Sequence, residues 1–89
     1  MNHKEMTAHI RKRIKAAGIP ALCKMQYYGI SGGDVISVDV PTHDTFFTPE
    51  QQRNILLIAK VNRLTLSRGM AIDLTSVTNP QCFKFFMAQ

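Results

Sequence analysis

The sequence predicts an α+β domain in the order αββαββ, with a four-stranded, mainly antiparallel sheet packed with two helices. Three observations carry that reading. Two segments place apolar residues at helical spacing and open on capping signals. Four short segments read as strands, three by alternation and one by aromatic content. A glycine-rich stretch joins the first two strands, as a hairpin requires. The chain has 89 residues, which allows one domain, 1–89, with one core and little room for a deep catalytic cleft.

The first helix is predicted over residues 3–17. Asn2 suits its N-cap and Glu5, three residues on, the reciprocal partner. Met6, Ile10, Ile14 and Ala17 form an apolar stripe. Arg11, Lys12 and Lys15 lie away from it and Arg13 on its flank. Gly18 fits the left-handed position that ends a helix, and Pro20 prevents continuation.

The segment Leu22 to Tyr28 alternates, with Cys23, Met25 and Tyr27 opposite Lys24 and Gln26. From Val35 to Val40, Ile36, Val38 and Val40 stand opposite Ser37 and Asp39. Residues Gly29 to Asp34 supply the loop between these strands, and Pro41 ends the second.

Thr48, Pro49 and Gln51 mark the start of the second helix, which runs to about Val61 with Asn62 at its C-cap. Residues Ile55 to Ala59 are contiguously apolar, as expected of a central helix covered on more than one side. Met70, Ile72 and Leu74 then alternate with Ala71, Asp73 and Thr75; Thr78 to Gln81 reads as a turn, and Cys82 to Met87 as an aromatic-rich strand. The expected core holds Ile10, Ile14, Ile36, Val38, Ile55, Ile58 and Ile72.

Hydrophobic residues make up 45% and charged residues 19% of the chain, a globular balance. There is no apolar run long enough for a membrane span, and Met1 to Glu5 leads into a basic stretch without the apolar centre of a secretory signal. A cytoplasmic location is expected. Two cysteines, Cys23 and Cys82, read as reduced core thiols.

Net charge is +5, and it is segregated. Residues 1–24 carry six Lys and Arg against one acid, residues 25–52 none against four acids, and residues 53–89 five against one. The densest part is Arg11, Lys12, Arg13 and Lys15, flanked by Lys4 and Lys24. These six are the candidate binding residues, because several cations along one face can track a phosphate backbone or meet an acidic protein. Tyr27, Tyr28, Phe46 and Phe47 are candidates to stack on bases, against the plainer reading of core or hairpin cover.

Catalytic signals are missing. No motif links Cys23 or Cys82 to His3, His9 or His43, and the acids are few and scattered. No Cys-x-x-Cys occurs, and His3 and His9 fall on different faces of a helix, so neither a metal nor a cofactor is expected. Gly29-Ile30-Ser31-Gly32 matches the Gly-x-x-Gly of an RNA-binding KH loop, but it joins two predicted strands and holds no basic residue.

From Thr7 to Val40 the chain resembles small domains of phage and plasmid proteins, including some associated with large polyvalent proteins. The residues behind this are the basic Ile10-Arg11-Lys12-Arg13-Ile14-Lys15-Ala16-Ala17 helix and Gly32-Gly33-Asp34 leading into Ile36-Ser37-Val38. The overall look is similar to phage-encoded accessory proteins, among them anti-CRISPR proteins. That resemblance implies a non-enzymatic, inhibitor-like protein that docks on a host nucleoprotein complex, such as a CRISPR effector, through its basic helix. The alternative is a free-standing nucleic-acid-binding regulator.

Overall fold

The computed structural model describes residues 2–27, 34–66 and 81–87. Helix α1 spans His3–Ala16 and opens with a full capping box. The Glu5 amide donates to Asn2 Oδ1 at 2.8 Å and the Asn2 amide to Glu5 Oε1 at 3.1 Å. At its other end Gly18 takes φ +75°. Its amide donates to the Lys15 carbonyl and that of Ile19 reaches back to Ile14. These paired bonds satisfy carbonyls that a helix end leaves unmet, and they turn Ile19 into the core.

The buried stripe of α1 is Thr7, Ile10 and Ile14, with Met6 partly covered. Ala17, expected in the stripe, is exposed because it sits in the terminal turn. Thr7 tolerates burial because its hydroxyl donates to the His3 carbonyl at 2.8 Å.

Strands β1 (Leu22–Tyr27) and β2 (Asp34–Asp39) pair antiparallel, with Cys23 opposite Val38 and Met25 opposite Ile36. The glycine loop between them and Tyr28 lie outside the described residues. Helix α2 spans Pro49–Val61, and Thr48 and Gln51 form the expected reciprocal cap. Asn62 caps its end, and Arg63 then takes φ 61°.

Strand β3 follows at Leu64–Leu66, where no strand was expected, and β4 spans Cys82–Met87. The strand expected from Met70 to Thr75, the start of the following turn and Ile72 lie outside the described residues. The sheet order is β1-β2-β4-β3, antiparallel throughout.

Both helices cover one sheet face. Ile36, Val38, Phe83 and Phe85 of the two central strands meet Ile10, Ile14, Ile55 and Ala59 from the helices. Phe47, just before α2, is 1% exposed, and its ring centroid lies 5.6 Å from that of Phe83. Ile58 is only half-buried, and α2 is not covered all round: Leu57 and Val61 are 59% and 72% exposed.

Strand β2 is buried on both faces. Ser37, on the face opposite Ile36 and Val38 as the alternation predicts, is fully buried beside Val35 on the sheet face away from the helices. Its hydroxyl donates to Asp39 Oδ2 at 2.9 Å, so the buried oxygen is satisfied.

Candidate binding surface

Lys4, Ala8, Arg11 and Lys15 recur at the spacing that places them along one flank of α1. That flank stands over β1, which among the described strands is an edge of the sheet. Between the two elements runs an open groove of about 310 Å³ lined by Lys4, Thr7, Ala8, Arg11, Lys24 and Met25. Ala8 leaves space where a longer side chain would close it. Met25 shares the helix-covered face of β1 with Cys23, yet at the sheet edge it remains 47% exposed.

Arg11 is held by one edge of its guanidinium. Nε and Nη2 donate to the Cys23 carbonyl at 3.1 and 2.8 Å. This contact fixes the guanidinium against the strand and shows which backbone groups of β1 face outward. Because alternate residues of a strand share a side, the amide and carbonyl of Met25 face the same way as the Cys23 carbonyl.

The six candidate cations divide into three places. Lys4 and Arg11 line the groove from α1, and Lys24 borders it from β1, where it alternates with the helix-facing Cys23 and Met25. Lys12 and Lys15 are exposed outside it. Arg13 lines a different groove, with Leu57, Ile58, Val61 and Asn62 of α2. Lys4, Lys12, Arg13, Lys15 and Lys24 form no ion pair with a described residue.

The thiols lie on opposite sheet faces, since Cys23 is paired with Val38 and Cys82 with Asp39, and both are free. Burial pushes the Cys23 thiol up to about 11, against a smaller lowering from Arg11. Cys82 is likewise raised to about 11, first by burial and then by Asp39. At neutral pH both are therefore protonated and poorly nucleophilic. Cys82 Sγ lies 3.8 Å from the Ser37 hydroxyl, but that hydroxyl is already committed to Asp39 and fully buried. His3 Nε2 lies 3.2 Å from the Val35 carbonyl. Among the described residues no group of three or more His, Cys, Asp or Glu is placed to hold a metal ion.

Of the candidate stacking residues, Phe47 belongs to the core and is unavailable, whereas Phe46 is 56% exposed. The Tyr27 side chain and Tyr28 lie outside the described residues. The groove residues not anticipated are Thr7, Ala8 and Met25. Ala8 carried a usable signal, being the small residue between Lys4 and Arg11 on a basic helix flank.

Compared with known proteins, the chain matches no family model, no curated protein and no solved structure. Among the described residues no helix is long and apolar enough to cross a membrane.

Proposed function

We propose that this is a non-enzymatic, inhibitor-like binding protein that docks on a nucleoprotein complex through the basic face of α1 and the adjoining edge of β1. The observation that carries this reading is the groove that Lys4 and Arg11 line from α1 and Lys24 borders from β1, with Lys12 and Lys15 exposed nearby. The surface is mixed. Cations rim it, while Met25 and Ala8 give it an apolar floor. A mixed surface suits a target that offers phosphates and protein together better than one that offers phosphates alone.

The test is reversal of charge at Lys4, Lys15 and Lys24 to Glu. Arg11 is left intact, because its guanidinium also holds the Cys23 carbonyl. The tagged protein and the variant are used for affinity capture from a host-cell lysate, with and without nuclease, and titrated with naked RNA and DNA at several salt concentrations. Retention of an assembled nucleoprotein complex by the native protein, its loss by the variant at unchanged circular dichroism, and weak binding to naked nucleic acid are expected. Tight binding to naked nucleic acid, with a salt slope that falls by about one unit for each lysine removed, would instead establish the free-standing regulator. Undiminished capture by the variant would remove this face from consideration.

A further inference from the structure

A second surface lies on the outer side of α2, independent of the basic groove. Leu57 and Val61, one helical turn apart, are 59% and 72% exposed. With Ile58, Asn62 and Arg13 of α1 they line a shallow groove of about 130 Å³ between the two helices. Arg53, four residues before Leu57, and Lys60, three after it, flank the stripe, and both are exposed. Arg13 stands on its other side. Arg13, Arg53 and Lys60 form no ion pair with a described residue. The acid of α2, Glu50, is in its first turn.

We infer that this groove takes an acidic amphipathic helix of a partner protein, with apolar anchors on Leu57 and Val61 and carboxylates toward Arg13, Arg53 and Lys60. Charge complementarity selects the occupant. A second copy meeting this face symmetrically would set the three cations against their own counterparts, which is repulsive. A nucleic-acid backbone would answer the cations but leave Leu57 and Val61 uncovered. Both walls are helices whose backbone bonds are already made, so an extended segment gains no strand pairing here. A helix satisfies its own backbone and is recognised through side chains alone, which is what this surface offers.

The probe is a display library of helical peptides randomised on their exposed positions, selected on the native protein and counter-selected on a Leu57→Glu/Val61→Glu variant. Glutamate is a good helix former and both positions are exposed, so the variant keeps its fold, as circular dichroism checks. Expected are enriched peptides with apolar residues at turn spacing flanked by Asp or Glu. Their affinity should fall on the order of tenfold or more in the variant, as for a central anchor, and fall again in Arg13→Glu or in high salt. The Lys4/Lys15/Lys24 variant should bind them normally, which separates this result from the fate of the basic groove. Enrichment of neutral or basic peptides, equal binding to the Leu57→Glu/Val61→Glu variant, or no enrichment would overturn the inference. So would a dimer in sedimentation that the same substitutions dissolve, since the occupant would then be a second copy.

Discussion

Gly18 holds φ +75°, and a Cβ added there would meet nothing within 4 Å. The cost of Gly18→Ala is therefore conformational alone, about 1 kcal/mol from the left-handed geometry. Equilibrium urea denaturation should show that loss with an unchanged slope, and Gly18→Asn should lose less. Cys23 makes a second residue-scale prediction. Its thiol keeps its proton to about 11 in the fold against an ordinary value of 9.0. Between those pH values the unfolded chain gives up a proton that the folded chain retains, so stability is full below pH 9 and falls as pH rises. Cys23→Ala should flatten that decline relative to the native protein in denaturation series from pH 8 to 11. Neither residue is equally legible in sequence. Gly18 announces itself through the stripe that stops before it and the proline that follows. The environment of Cys23 depends on α1 docking over β1, which no local pattern encodes.

Both helices begin where their capping residues place them, because a capping box is a bargain among four consecutive residues. Thr48→Ala removes the oxygen that accepts from the Gln51 amide at 3.1 Å and should cost about 1 kcal/mol, read as a lowered denaturation midpoint with α2 still helical by amide exchange. Strands β1, β2 and β4 were legible through alternation or aromatic content. Strand β3 was not, since Leu64–Leu66 has only three residues and owes its place to pairing with Phe85, Phe86 and Met87 of β4. The apolar run in α2 misled in a different way. Ile55 and Ala59 face the core, while Leu57 points outward; a contiguous run states hydrophobicity without stating which side is covered. The candidate site shows the same limit. The cations were visible in the sequence, but their division among a groove, an open helix face and a second groove follows from where β1 and α2 pack.

At the scale of the whole molecule, the sheet centre is held by Phe83 and Phe85 from β4, whose rings stack at 6.1 Å and 5°, with Phe47 tilted against Phe83. Phe83 is fully buried on a central strand. Phe83→Ala should cost about 3–5 kcal/mol, a large share of the roughly 4–13 kcal/mol expected for a domain this size. Thermal denaturation should show a variant near its melting point at physiological temperature, with Phe83→Leu recovering much of the loss. The bond from Arg11 to the Cys23 carbonyl has a further consequence, for shelf life. Among the described strands β1 ends the sheet, and an open strand edge is a template on which another chain can add. Arg11 occupies one acceptor of that template and Lys24 sets a charge beside it, so polymerisation along this edge is opposed by a side chain reaching across from a helix. Arg11→Ala, concentrated and stored, should form thioflavin-positive aggregates sooner than the native protein while its initial circular dichroism is unchanged.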